Sequence, residues 1–155
     1  MAQHKIIPGV GFDNIKFGMT QDEVEDILGE PDEVEEQNYG EGESAEVFYY
    51  DELGLSMSFD AEEDYRLVEI SFEDESFILF DSIHVGQPIE ESLSLAEKAQ
   101  MGEYDLEDLS TDGFEGKELY AFEKENINFW ADDKELSSIQ IGPYWVNDET
   151  IKWPE

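Results

Sequence analysis

The sequence predicts an α+β fold built from two tandem modules, each a helix followed by an antiparallel sheet of about four strands. The first observation is a repeat: residues 12–18 (FDNIKFG) return as residues 80–86 (FDSIHVG), 68 positions later. The second is a helical pattern that follows each copy. The third is a series of short segments in which apolar and polar residues alternate, which is typical of strands with one buried face. A module of roughly 70 residues buries only a modest core alone, so we expect the two copies to pack together.

The first helix is predicted from its two ends. Thr20 and Glu23 have the spacing of a capping box, in which each side chain bonds the backbone N–H of the other residue. Gly29 suits a left-handed C-terminal cap, and Pro31 blocks any continuation of the helix. Three apolar residues recur at helical spacing and predict the buried stripe: Val24, Ile27 and Leu28.

Strands are predicted after this helix. Leu55, Met57 and Phe59 alternate with polar residues, which predicts a strand with one wet face. The strands of the first module are expected at residues 32–37, 45–51, 53–60 and 67–73. The first of these is weak and fits the edge of a sheet.

The second module repeats this order. Pro88 suits the first turn of a helix, and Gly102 marks the end of the helical segment. Its strands are expected at residues 104–109, 117–123, 126–131 and 136–141. We therefore divide the chain into a first α+β repeat, residues 1–76, and a second repeat with a C-terminal tail, residues 77–155, packed as one compact unit.

The charge of the chain is extreme. It carries 42 acidic and 8 basic residues, a formal net charge of −34 at pH 7. Such a chain repels nucleic acid and anionic membranes, because phosphate binding needs clustered Lys and Arg. Three interpretations remain open: a solvated surface that maintains solubility, adaptation to high salt, or an acidic inhibitor that captures a basic protein through electrostatic steering.

Other features limit the location and the chemistry. The sequence has no Cys, no apolar segment long enough to span a membrane and no visible secretion signal, so we expect a cytoplasmic protein without disulfides or thiolate metal sites. His4 and His84 lie in no nucleophile motif, and no calcium or phosphate-binding loop is present. We therefore predict no catalytic residues, no cofactor and no metal site, and a protein that is not an enzyme.

Aromatic residues are the better candidates for binding. If Phe129 faces the core, its neighbour Trp130 faces away from it, where it could anchor a partner. Tyr49, Tyr50 and Tyr120 lie on neighbouring predicted strands and could extend the same patch. The alternative is that the C-terminal tail, which contains two further Trp residues, covers Trp130.

Residues 15–31 (IKFGMTQDEVEDILGEP) resemble the opening of the SmpA/OmlA family of small outer-membrane lipoproteins, which read roughly G-M-T-x-x-x-V-x-x-x-L-G-x-P. The tandem arrangement is similar to that of the β-lactamase inhibitor protein, with two helix-plus-four-strand modules in series. The chain has neither the lipid-anchor Cys of the first family nor the paired Cys of the second. The resemblance therefore implies a non-catalytic, protein-binding architecture without a membrane anchor.

Together these features predict a non-enzymatic protein that binds or inhibits a protein partner, as an immunity protein does, through an acidic sheet face that carries aromatic side chains. A basic partner, such as a toxin to be neutralised, would suit the charge. The alternative is a structural or housekeeping domain whose acidic surface serves solubility or salt adaptation. The sequence identifies neither the partner nor the oligomeric state.

Overall fold

The computed structural model describes residues 4–40, 43–108, 116–145 and 151–153. It is dominated by strands, with two α-helices and one short 3₁₀ helix at Ala61–Glu63. The helices are α1 (Gln21–Leu28) and α2 (Ile89–Lys98). The strands are β1 (His4–Ile7), β2 (Gly11–Phe12), β3 (Ile15–Lys16), β4 (Glu33–Gly40), β5 (Glu43–Tyr50), β6 (Leu55–Asp60), β7 (Arg66–Phe72), β8 (Phe77–Leu79), β9 (Asp105–Asp108), β10 (Lys117–Phe122), β11 (Ile127–Asp132), β12 (Glu135–Ile141), β13 (Tyr144–Trp145) and β14 (Ile151–Lys152). No helix in these described ranges is long and apolar enough to span a membrane.

The expected α+β arrangement of two tandem helix-plus-sheet modules, each with its own sheet of about four strands, is wrong. The eight longer strands form one continuous antiparallel sheet in the order β4-β5-β6-β7-β12-β11-β10-β9. Strands β7 and β12, one from each predicted repeat, join its two halves, with Phe72 opposite Ile139 and Ile70 opposite Ile141. Alternation of apolar and polar residues predicts that a strand has a buried face, but it does not say which strand lies beside it. The positions of the strands were therefore predicted better than their pairing, and the class is mostly β.

The structure also contains a second, four-stranded sheet that the sequence did not predict. Its order is β3-β2-β1-β8; β1 pairs with β2 in the antiparallel sense and with β8 in the parallel sense. Strands of two to four residues carry too few alternating positions to be recognised from the sequence. This sheet joins the N-terminal segment to β8, with which the second predicted repeat begins.

Helix α1 begins with the predicted capping box. Thr20 Oγ1 accepts from the backbone N–H of Glu23, and Glu23 Oε1 accepts from the backbone N–H of Thr20. Val24 is fully buried, but Ile27 is 44% exposed, so the predicted stripe is narrower than expected. In α2, Ile89, Ser92 and Ala96 are the buried positions. Leu28, at the end of α1, is partly buried against the core, so Val24 and Leu28 pack the helix onto the molecule and Ile27 does not.

One core lies between the large sheet, the helices and the small sheet. The inner face of the large sheet contributes most of its buried apolar side chains, and the small sheet, the two helices and the segments beside them contribute the rest. Among the largest fully buried side chains are Phe59, Phe72, Phe77 and Phe129. Both predicted repeats therefore bury their apolar residues in the same core.

The two glycines of the repeated segment share local geometry. Gly18 and Gly86 have φ of 95° and 98°, in the region that favours glycine, and each donates its N–H to a leucine carbonyl, that of Leu67 at 3.0 Å and that of Leu136 at 2.8 Å. The preceding phenylalanines differ, because Phe12 lies in β2 whereas Phe80 has a φ of 50° and lies outside a strand. The duplication of the chain stays a prediction.

Candidate functional site

The outer face of the eight-stranded sheet, opposite the core, presents a row of aligned side chains. In an antiparallel sheet, residues that lie opposite one another point to the same face, and alternate residues along each strand share it. The registers of the strands define one row across all eight: Glu33, Tyr49, Ser56, Ser71, Gln140, Asn128, Ala121 and Asp105. This row is mostly polar, unlike the inner face, so the large sheet separates an apolar core from a polar surface.

Gln140 is the hub of this face. Its Oε1 accepts from Asn128 Nδ2 at 2.9 Å and from Trp130 Nε1 at 3.3 Å. Its Nε2 donates to Glu69 Oε1 at 2.9 Å and to Ser71 Oγ at 3.4 Å. The amide therefore uses both its acceptor and its donor sides, which fixes its orientation and those of the four side chains around it.

Glu69 is the titratable member of this network. Part of the residue is exposed, but loss of water around its carboxyl group raises the pKa above the ordinary value of 4.5, and the hydrogen bond from Gln140 opposes this rise. A carboxylate has about four acceptor positions, so Glu69 can accept further donors besides Gln140.

Two depressions meet at Glu69 and Gln140. One has a volume of about 310 Å³ and lies between the sheet, the 3₁₀ helix and the segment after β12; its polar lining includes Asp60, Glu63 and Glu69. The other, of about 470 Å³, extends along the row toward Ser56 and Tyr49. Because both depressions share Asp60, Val68, Glu69 and Gln140, they form a continuous concavity across the middle of the sheet.

The structure separates the four predicted binding residues. Trp130 and Tyr49 lie on the outer face and are half-buried; Tyr49 donates its hydroxyl hydrogen to Glu35 Oε2 at 3.2 Å. Tyr50 and Tyr120 lie on the inner face and are 4% and 5% exposed. The single aromatic patch expected from these four residues is therefore not formed, because adjacent residues of a strand such as Tyr49 and Tyr50 point to opposite faces.

In the described part of the C-terminal tail, Trp153 packs near Gly18, where its ring also lies 5.7 Å from the guanidinium carbon of Arg66. The side chain of Trp145 and residues 146–150 lie outside the described part of the chain, as does the last position of the strand predicted at 104–109. The sequence prediction missed Gln140 and Glu69, although the alternation in 136–141 and 67–73 assigns both to the outer face.

The model of one protein family, the domain of unknown function DUF7738, matches residues 11–152. The chain belongs to this family. No curated protein shows significant similarity to this DUF7738 chain. A solved structure of an extracellular protein containing a SCP domain from Bacillus anthracis str. Ames matches it with a TM-score of 0.47 and 15% identity, over 83% of this chain and 44% of that one. The DUF7738 chain thus spans less than half of that protein, and so distant a likeness transfers no function.

The histidines of this DUF7738 chain lie apart from the Gln140 network. His4 is on β1, where its ring stacks on Phe77 and its Nδ1 contacts Asp13. His84 is half-buried, with Nδ1 2.9 Å from the carbonyl oxygen of Val85. Within the described ranges, no three His, Asp or Glu side chains are grouped closely enough to hold a metal ion.

The outer face of the large sheet offers hydrogen-bonding groups, negative charge and aromatic surface, all of which suit binding.

Proposed function

We propose that this protein is a non-enzymatic binding protein that holds a protein partner on the outer face of its large sheet. The observation that carries the proposal is the network around Gln140, which orients Trp130, Asn128, Ser71 and Glu69 across a concave face. Side chains fixed before binding lose little conformational entropy when a partner docks. Tyr49 and Trp130 lie on strands β5 and β11, which are four strand spacings or about 19 Å apart, and they supply two aromatic contacts within one interface.

The charge of the chain indicates what kind of partner would suit this face. With 42 acidic and 8 basic residues, carboxylates outnumber basic groups by 34. The negative electrostatic field of these carboxylates attracts a basic protein from a distance and raises the rate of association at low ionic strength. A basic protein that this chain sequesters or inhibits is therefore the favoured partner.

A pair of charge-matched variants tests the proposal. Ser56 lies in the middle of the outer row, so Ser56→Arg places a long side chain in the concavity; Ser94→Arg adds the same charge on an exposed position of α2. Each immobilised protein is incubated with native lysate at low salt. We expect proteins that wild type and Ser94→Arg retain to be lost from Ser56→Arg. Equal retention by the two variants would show that the outer face is not the binding surface.

A second candidate function is a structural or housekeeping role in which the charge maintains solubility or suits high salt. The excess of 34 acidic residues favours it, because mutual repulsion of this size destabilises a compact chain until salt screens it. Urea denaturation at increasing NaCl distinguishes the roles. If the protein unfolds at low salt and becomes steadily more stable as NaCl rises toward about 1 M, salt is screening the repulsion among its acidic groups. That result would favour adaptation to high salt. Full stability at low salt favours partner binding.

A further inference from the structure

We infer that the smaller depression of the outer face receives an arginine side chain of the partner. This inference rests on the proposed function and adds to it the chemistry of the contact. The occupant is an arginine-bearing loop of a basic protein, and the head group lies near Glu69. Three features of the depression favour this occupant: the charge of its lining, its apolar wall and the hydrogen bonds that fix Glu69.

The negative charge of the depression favours a positively charged ligand. The depression of about 310 Å³ is lined by the carboxylates of Asp60, Glu63 and Glu69, and no Lys, Arg or His is among the lining residues. These acids come from three elements, β6, the 3₁₀ helix and β7, which the fold brings to one side of the concavity. Glu63 and Glu69 would repel an anionic group, whereas they would attract a positive head group.

The rest of the lining favours a side chain with an apolar stem. Val68, Pro143 and Ile151 form part of the wall, and Asn126 and Asn128 supply amide groups. Arginine buries its methylene stem against apolar surface while its head group makes polar contacts. A volume near 310 Å³ is at the lower end of ligand cavities, about 300–1,000 Å³, which suits one inserted side chain better than a large ligand.

The fixed geometry of Glu69 favours arginine over lysine. Gln140 Nε2 donates a hydrogen bond to Glu69 Oε1, and Gln140 Oε1 accepts from Asn128 Nδ2 and Trp130 Nε1. The carboxylate is therefore oriented before any ligand binds. The planar guanidinium matches an oriented carboxylate with two parallel hydrogen bonds and is less strongly hydrated than an ammonium group. The lysine ammonium gains less from such orientation, because it acts as a point charge.

The test uses the ¹⁵N-labelled full chain and N-acetyl-arginine amide as the probe, with N-acetyl-citrulline amide as the uncharged analogue, at constant ionic strength. The signals followed are the side-chain amides of Gln140 and Asn128 and the indole N–H of Trp130. We expect saturable shifts of these signals with the arginine probe only. Glu69→Gln should weaken the apparent affinity about tenfold, the loss typical of a hydrogen bond to a charged group.

Glu107→Gln is the matched control, because it removes the same charge from the same face at the edge strand β9; it should leave the affinity unchanged. The inference is overturned if citrulline amide produces the same shifts, if Glu69→Gln binds as wild type does, or if CaCl₂ saturates these signals and the arginine probe does not. Failure of this titration while Ser56→Arg still loses the retained proteins would remove the arginine site and leave the proposed function standing. Equal retention by Ser56→Arg and Ser94→Arg would count against the function by itself.

Discussion

Glu69 combines two opposing influences on one carboxyl group. Loss of water around it raises its pKa, and the amide of Gln140 favours the charged form. Since the folded pKa lies above the unfolded value near 4.5, the folded state binds more protons between these values, and stability falls as pH rises through that window. At neutral pH the carboxylate is charged in the folded state, and because the residue is partly exposed, solvent reduces the cost of this charge.

Glu69→Gln should therefore stabilise the fold at pH 7, and the gain should disappear as pH falls below about 4.5. The glutamine keeps an oxygen that can accept from Gln140 but carries no charge to desolvate. Urea denaturation of both proteins between pH 4 and 7 measures the difference, with Glu107→Gln correcting for the loss of one negative charge. A gain of the same size at pH 4 would contradict the desolvation argument.

Gln140→Leu should destabilise the protein by about 1–2 kcal/mol, because it removes the acceptor of Asn128 and Trp130 and the donor to Glu69. Water reaches this face, which keeps the loss below that of a fully buried network. The urea midpoint should fall with an unchanged slope. Ser138→Ala, also on the outer face, is the control and should change stability by less than about 0.5 kcal/mol. A loss for Gln140→Leu no larger than the control's would mean that the hub does not stabilise the sheet.

At the scale of elements, burial of isoleucine distinguishes the core from the surface. Ile15 in β3 and Ile83 beside β8 are 1% and 0% exposed, whereas Ile27 in α1 is 44% exposed. Replacement of Ile15 or Ile83 by Ala should cost about 2–5 kcal/mol, the range for large-to-small core substitutions. Ile27→Ala should change stability by only about 0.5 kcal/mol, and alanine's higher helix propensity offsets part of that. A loss at Ile27 equal to those at the buried positions would mean that α1 packs differently; chemical denaturation of the three variants measures this.

The sequence predicted local elements well and long-range pairing poorly. The capping box of α1 was visible because its residues lie three apart and act on each other, and strands such as β6 were visible because alternate residues are buried. The pairing of β7 with β12 joins residues about 70 positions apart, and no local pattern encodes it. For the same reason Gln140 and Glu69 could each be assigned to an outer face, but their hydrogen bond could not be predicted.

At the scale of the molecule, the sheet and the core both cross the boundary between the predicted repeats. Ile6 and Phe12 from the N-terminal half and Phe129 and Ile139 from the C-terminal half belong to one buried cluster. Small domains with one core usually unfold in a single cooperative transition.

We therefore expect one unfolding transition, with coincident curves by tryptophan fluorescence and by far-UV circular dichroism. Ile15→Ala and Ile83→Ala should shift this whole curve and should not split it, although the residues lie in different halves of the sequence. Two resolved transitions, each moved by one of the substitutions, would show that the halves unfold independently.

The ends of the large sheet limit how the molecule can associate. In the described part of the chain, β4 and β9 are its outermost strands, and both carry exposed carboxylates: Glu33, Glu35 and Glu36 on β4, Asp105 and Glu107 on β9. A second copy that added its own edge strand would bring like charges into opposition, which is unfavourable. Main-chain pairing between the edge strands of two copies is therefore disfavoured at neutral pH, and another molecule that meets these edges meets carboxylates before it meets the backbone.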